Sequence, residues 1–237
     1  MKASGGQPDR LGSPRVHLRH VDSTNVRARE LAGRGAPHGT LVTAAEQSAG
    51  RGRQGRTWTA PANRALLCSV VLRDPPRMLP LAAGVAVAEV VGAEARLKWP
   101  NDVHVGGRKV AGILVEGRPQ ERWAVLGVGV NVALRAEDFP PELKHSAATL
   151  GLDPEAIEPT LARLLAALER WLQAPADQVL EAVRARDALY GLAVRWADGE
   201  GRADGIDPEG RLLVQTAAGR RVALDAGEIH LLAQNER

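Results

Sequence analysis

Gly50-Arg51-Gly52-Arg53-Gln54-Gly55-Arg56-Thr57-Trp58 is the stretch on which the fold turns. Its Gly50-x-Gly52-x-x-Gly55 spacing is literally the dinucleotide fingerprint, and the segment before it, Gly39–Glu46, reads as a strand. In a dinucleotide-binding sheet that fingerprint opens a helix. Here Pro61 and a continuous apolar strand, Ala65–Leu72, follow instead, and the variable positions are arginines. The dinucleotide reading is rejected, and the stretch is a loop between strands. Glycine lets the backbone approach a ligand closely. Arginine presents a fixed fork of donors that fits carboxylate and phosphate. Trp58 adds a flat face for a ring. The loop suits an anionic, ring-bearing ligand, with a solvated basic loop as the alternative.

Outward from this loop the chain divides by pattern. Asp22-Ser23-Thr24-Asn25 is rich in N-cap residues ahead of a helical pattern, Val26–Ala32, which Gly33 and Gly35 stop. Leu79–Val91 is apolar nearly all round and reads as a buried helix. Leu97–Trp99, Val103–Val105, Lys109–Glu116 and Trp123–Leu134 read as strands, the middle two joined by Gly106-Gly107, a hairpin signal. Leu161, Leu164, Leu165, Leu168 and Leu172 follow helical spacing, and Val179–Leu189 continues as a second helix. After Gly191 five short strands separated by Asp/Gly/Pro turns read as a small all-β barrel. The expected organisation is a loose tail at 1–15, a mixed α+β domain at 16–189 and the barrel at 190–237.

Composition narrows the function classes. The chain has 237 residues and a net charge of +3. Residues 190–237 hold six Lys/Arg and eight Asp/Glu, a balance of −2, which leaves +5 for residues 1–189. A basic larger part suits an anionic substrate and is too mild to argue for nucleic acid alone. The single cysteine, Cys68, lies inside an apolar run and reads as a core residue, so a disulfide framework is excluded and a reducing, cytoplasmic setting fits. No apolar run approaches a membrane span, and no Walker A sequence is present. The six histidines show no metal-ligand spacing.

Two further stretches carry chemistry. In Lys98-Trp99-Pro100-Asn101-Asp102, Asp102 can ligate Mg²⁺, an ion that takes few protein carboxylates and shares phosphate oxygens; a plain Asn-Asp turn is the alternative. Lys109 sits on an otherwise apolar strand and needs a partner, a ligand or an edge position. Gly112 permits close approach of a flat group. In Gly127-Val128-Gly129-Val130-Asn131, glycines in a buried strand weaken it unless something packs on the backbone.

Taken in order, Asp22–Asn25, Glu46–Trp58, Lys98–Asp102, Arg108–Glu116 and Gly127–Asn131 resemble the biotin–protein ligases, and the C-terminal strands are similar to that family's final domain. The resemblance implies a class II synthetase-like α+β catalytic domain with a mixed sheet, followed by an SH3-like β-barrel. It implies that ATP activates biotin to biotinyl-5′-AMP and that biotin then passes to a lysine of a biotin carrier domain of a carboxylase. Ser23, Thr24, Asn25 and Gln47 would bind the biotin head. Gly50, Arg51, Gly52 and Arg53 would close over the ligand, with Arg51 near the carboxylate. Arg53 and Arg56 would hold phosphates, Trp58 would enclose the adenine side, and Asn101 and Asn131 would lie by the nucleotide. Asp102 would serve Mg²⁺. Lys109 would sit at the reacting centre, with Gly112, Gly127 and Gly129 flooring the pocket. Gln54 stands where the family often has arginine. About fifteen residues precede the first ligase-like strand, too few for a winged-helix domain, so DNA binding is not expected. A homodimer through sheet edges, with Trp123–Leu134 as an edge strand, is one assembly the family suggests. Rival readings are a lipoate or octanoate ligase or transferase, a non-catalytic nucleotide-binding protein, and an RNA-binding module using the Arg/Gly run.

Overall fold

Strands whose side chains alternate across a sheet bury both faces only when each face has its own cover. In the computed structural model, which describes residues 10–232, that is how the larger part of the chain is built. Seven strands, β1 (Arg15–Val21), β2 (Leu41–Gln47), β3 (Ala65–Arg73), β4 (Arg96–Lys98), β5 (Asp102–Val105), β6 (Arg108–Arg118) and β7 (Trp123–Asn131), lie in the order β1-β2-β3-β7-β6-β5-β4. Only β1 and β2 are parallel, so the sheet is mixed as expected. Helices α2 (Leu79–Val91) and α3 (Ile157–Gln173) cover one face, and α1 (Thr24–Gly33) covers half of the other.

The register shows why the apolar run of β3 is continuous. Leu66, Cys68, Val70 and Leu72 face α2 and α3 in the main core, while Val71 packs with Ala28 and Ala32 of α1. On β7, Ala124, Leu126, Val128 and Val130 take the helix-covered face. The opposite face of β7 therefore carries Gly127, Gly129 and Asn131. Gly106 and Gly107 both have positive φ (56° and 74°) and close the β5–β6 hairpin, as a two-residue turn of this kind requires.

After α4 (Ala176–Arg184) come the five short strands β8 (Ala193–Trp196), β9 (Gly199–Ile206), β10 (Leu212–Gln215), β11 (Arg221–Leu224) and β12 (His230–Leu231), antiparallel in the order β11-β10-β9-β8-β12. Their buried Val194, Ile206 and Leu212, with Ile229 just before β12, join the same apolar cluster as α2 and the large sheet. Trp99 Nε1 donates to Gly210 O (3.0 Å) and Arg184 donates to Ile206 O, which fixes this module against the turn before β5.

Three expectations change. The loose tail ends earlier than residue 15. Leu11 is only 5% exposed, its N–H donates to Glu169 Oε1 (2.9 Å), Gly12 N–H bonds Gly39 O, and β1 starts at Arg15. The remaining tail, 1–9, lies outside the described residues. The helix expected to run to Leu189 stops at Arg184, because Leu97 N–H takes Arg186 O (2.7 Å) and Ala188 N–H takes Leu97 O (2.9 Å), drawing that segment along β4. Trp123–Leu134 is not an edge strand: β7 is paired on both sides, by β3 and β6. With 186–188 beside β4, β1 is the edge of the large sheet left unpaired among the described residues.

The buried Leu11 gives a test. Leu11→Ala is expected to lower unfolding stability by about 2–4 kcal/mol, the cost of a cavity in a packed core, read as a shift in urea midpoint at constant m-value.

Candidate active site

The uncovered half of the sheet face beside α1 forms the floor of a cleft of about 380 Å³. The floor follows from strand periodicity. Leu67 and Ser69 of β3, Gly129 and Gly127 of β7, and Gly112 and Leu114 of β6 meet in register: Leu67 opposite Gly129 opposite Gly112, and Ser69 opposite Gly127 opposite Leu114. Every predicted site residue except Gly50 lines the cleft. Gly50 sits behind it, where a Cβ would strike Trp58 O and the Gln47 amide. The loop folds back on itself at this point, with Trp58 N–H on Gly50 O (2.9 Å), Gly52 N–H on Arg56 O (2.7 Å), and Gln54 and Gly55 at φ 54° and 76°.

One end of the cleft is a buried polar cluster. Ser23 stands at the N-cap of α1, but its hydroxyl makes no cap hydrogen bond, so it is not spent on the helix. Thr24 N–H donates to Gln47 Oε1 (2.8 Å), and Thr24 Oγ1 lies 3.1 Å from the same oxygen. Ser69, fully buried, lies 2.8 Å from Thr24 Oγ1 and donates to Asn25 Oδ1 (2.6 Å). Asn25 Nδ2 donates to Glu116 Oε2 (2.9 Å). A Cβ on Gly127 would overlap the Asn25 amide oxygen, so glycine is required there. The other oxygen of Glu116 holds Arg29 (3.1 Å) and Arg51 (3.5 Å). Arg51 is thus parked at the polar end in this structure.

The other end is ionic. Lys109 Nζ pairs with Asp102 Oδ1 at 2.7 Å, and lies 5.6 Å from the centre of the Trp58 ring. The indole rests on the glycine floor, so close that a Cβ on Gly129 would stand 2.6 Å from it. Arg53 donates to Asn101 Oδ1 (3.1 Å), and burial lowers its pKa below the usual guanidinium value. Arg56 pairs with Glu228 of the C-terminal module (3.1 Å). Lys98 has no carboxylate partner within 4.0 Å among the described residues, and burial lowers its ammonium pKa. The third wall is the segment after β7. Asn131 Nδ2 holds Ala148 O (2.8 Å), Lys109 N–H takes Ser146 O (2.7 Å), and Phe139 and Trp58 both pack against the small cluster of Ala65, Leu67 and Leu134. Cys68, buried with its thiol pKa pushed up to about 12, is a core residue as read.

Several groups here were not picked out from sequence. Ser69 was visible as the lone hydroxyl in the apolar run of β3. Glu116 shares the alternation of Gly112 and Leu114 on β6. Lys98 belongs to the motif in which Asn101 and Asp102 were assigned. Glu228 and the Phe139–Ala147 wall left no local signal, since they reach the cleft only through tertiary packing. His104 also lines the cleft; its Nδ1 lies 3.0 Å from Gly107 O, and burial lowers its pKa. Among the described residues no group of three or more His, Cys, Asp or Glu side chains is arranged to hold a metal. No described helix is long and apolar enough to cross a membrane.

Comparison with known proteins agrees with this geometry. Residues 18–132 match the Biotin/lipoate A/B protein ligase family, and residues 198–232 match the Biotin protein ligase C terminal domain. The biotin–[acetyl-CoA-carboxylase] ligase of Mycobacterium tuberculosis is 38% identical over 87% of this chain and 85% of its own length. The ligase of the same name from Paracoccus denitrificans is 34% identical over 90% and 98%. The structure of the Aquifex aeolicus biotin protein ligase in complex with biotin and ATP superposes with a TM-score of 0.76 at 28% identity, covering 93% of this chain and 99% of that one. The chain belongs to the biotin–protein ligase family.

Proposed function

We propose that this protein joins biotin to ATP, forming biotinyl-5′-AMP and pyrophosphate, and then transfers biotin to a lysine of a carboxylase's biotin carrier domain. The observation that carries the choice of acid is the buried polar end of the cleft. Ser23, Thr24 and Asn25 are each under 5% exposed and point their polar groups at a space walled by glycine. A ureido ring, with two N–H donors and one carbonyl acceptor, satisfies such a site. The dithiolane of lipoate or the alkyl chain of octanoate leaves it unpaired, at about 1–3 kcal/mol per buried group.

In the first step a biotin carboxylate oxygen attacks the α-phosphorus of ATP. The bond to the bridging oxygen breaks, and pyrophosphate leaves with the electron pair. Attack of one anion on another needs fixed cations that neutralise and align them. Lys109 lies at the junction of the polar and ionic ends and is the central cation in this proposal. Arg51 joins it on leaving Glu116 as the loop closes, while Arg53, Arg56 and Lys98 hold phosphate oxygens. Trp58 and Asn131 enclose the nucleoside side, with Asn101 holding Arg53. Asp102 is a largely covered carboxylate (18% exposed) beside the cations proposed to hold phosphate, a donor that fits Mg²⁺ shared with phosphate. When bound there the ion supplies further positive charge. In the second step a lysine amine of the carrier attacks the acyl carbon, the proton leaves the amine nitrogen, and AMP departs with the bond pair. Lys109 stabilises the negative charge that builds on the carbonyl oxygen. The mixed anhydride hydrolyses in open water, so closure of loop 50–57 protects it.

The deciding experiment is mass spectrometry of the protein with biotin, ATP and Mg²⁺, and with lipoate or octanoate in parallel. Biotinyl-5′-AMP is the expected product, and adenylate from lipoate or octanoate alone would transfer the protein to the rival chemistry. Lys109→Ala is expected to lower adenylate formation by about 10²–10³-fold, the scale of losing a key electrostatic group. Gly129→Ala pushes the Trp58 ring off the floor; overpacking of this kind costs about 1–3 kcal/mol of folding stability, so Tm should fall by roughly 2–10 °C and the KM for ATP should rise. Protease cleavage within 50–57 should slow when biotinyl-AMP is present, and equal cleavage with and without it would refute loop closure.

A further inference from the structure

We infer that Ser69 and Glu116, neither of which need touch the ligand, are positioning residues that fix the hydrogen-bond polarity of the ring end of the site. The inference rests on the proposed biotin chemistry and extends it to the origin of ring specificity.

The direction of each hydrogen bond follows from the groups present. The Glu116 carboxylate only accepts, so the Asn25 group facing it is the amide nitrogen (2.9 Å), whose second hydrogen points toward Leu114 O (3.5 Å). Both Asn25 N–H bonds are thereby engaged, and Asn25 Oδ1 is turned to Ser69. An amide oxygen cannot donate, so the single Ser69 proton goes to Asn25 (2.6 Å). Ser69 Oγ then stands 2.8 Å from Thr24 Oγ1 as an acceptor. Gln47 Oε1, 3.1 Å away, is a second acceptor for the same Thr24 proton. Whichever takes it, that proton is spent within the protein.

The consequence is that Thr24 and Asn25 offer the ligand only acceptors, while the Ser23 hydroxyl and the Gln47 amide nitrogen keep the donors of this end. Thr24 Oγ1 and the second lone pair of Asn25 Oδ1 meet the ligand as bare oxygens. Two acceptors held side by side select a ring that carries N–H donors and repel one that presents oxygen there. Ser69 is wholly buried and Glu116 is half-shielded by Arg29 and Arg51, so water does not readily substitute for either. Glu116 also ties this polarity to the loop, because the carboxylate that orients Asn25 holds Arg51.

The test is a double cycle between protein and ligand, read by titration calorimetry. Biotin, desthiobiotin (same ring N–H groups, no sulfur) and the two cyclic carbamate isomers of biotin (one ring N–H replaced by oxygen) are bound to wild type, Ser69→Ala and Glu116→Gln. Wild type should prefer biotin over a carbamate by roughly a hundredfold, since a site built to accept N–H bonds is left with facing acceptors. Ser69→Ala should weaken biotin and desthiobiotin alike, by roughly tenfold, and cut the preference over the carbamate to roughly tenfold or less. Glu116→Gln should move the preference the same way, and ATP affinity should stay within roughly twofold in Ser69→Ala. Ser69→Cys, which keeps the volume and a weak donor, should recover part of the preference. A Ser69→Ala protein that loses biotin and carbamate affinity by one common factor, or loses neither, overturns the inference and leaves ligase activity standing. Wild type that binds desthiobiotin and biotin no better than octanoate overturns the functional reading, and this inference with it.

Discussion

The alternation of side chains along three paired strands is the constraint on which the rest of the molecule depends. β3, β7 and β6 give their even-handed positions to the helices: Leu66, Cys68, Val70 and Leu72 on one strand, and Ala124, Leu126, Val128 and Val130 on the next. Once the core claims those, the period of two leaves Ser69, Gly127, Gly129, Gly112 and Glu116 on the other face, with no freedom to place them elsewhere. A register slip of one residue would bury the polar set and expose the apolar one. The large core, and not the cleft, is what enforces the geometry of the cleft.

That face is divided by what covers it. α1 seals the end near Val71 and Val125, and its first turn delivers Thr24 and Asn25 to the edge of the seal. Beyond them the glycines leave a flat floor on which Trp58 rests, with the end of the Lys109 side chain beside it over Gly112. The charges are sorted to match. At the covered end the hydroxyl and amide groups are backed by one carboxylate, Glu116, with Arg29 and Arg51 beside it, while Lys98, Lys109, Arg53 and Arg56 gather where the cleft opens toward the C-terminal module. Each of these cations except Lys98 has a counter-group in the structure: Asp102, Asn101 and Glu228 respectively for Lys109, Arg53 and Arg56. Such pairs are modest in strength where half exposed, so a multiply charged phosphate chain can displace them without great cost.

What the sequence made legible, and what it hid, divides along the same physical line. Features set by neighbours in the chain were readable: the Gly106-Gly107 turn, the buried α2, the alternating strands, and the motifs at 22–25, 46–58, 98–102, 108–116 and 127–131 that converge on one cleft. Features set by distant packing were not. Leu11 looks like part of a polar tail until α3 and the turn at Gly39 are in place to cover it. The end of α4 depends on β4 competing for the backbone of Arg186 and Ala188. The central place of β7 depends on β6 folding back upon it, which no local pattern in Trp123–Leu134 encodes. Ser69 and Glu116 lie between these cases, since their residue types stand out against the strand pattern but their partners are 45 and 91 positions away along the chain.

The C-terminal module follows from the same reasoning, although none of its strands lines the floor. The turn carrying Asn101 and Asp102 projects from the end of the sheet, where β4 is only three residues long and offers little support. Two things hold that turn. From below, Asn101 Nδ2 and O bond Ile113 O and N on β6 (2.9 and 3.0 Å). From outside, Gly210 accepts the Trp99 indole N–H, and Gly210 itself sits so close to Leu81 of α2 that a side chain there would press on it. Glu228 of the same module reaches Arg56 on the loop opposite. The module therefore grips both rims of the ionic end, one through an apolar, hydrogen-bonded contact and the other through an exposed ion pair. The first kind of contact is stiff and the second yields to a competing anion. A fixed carboxylate turn faces a releasable arginine loop, the arrangement that the loop closure proposed above requires.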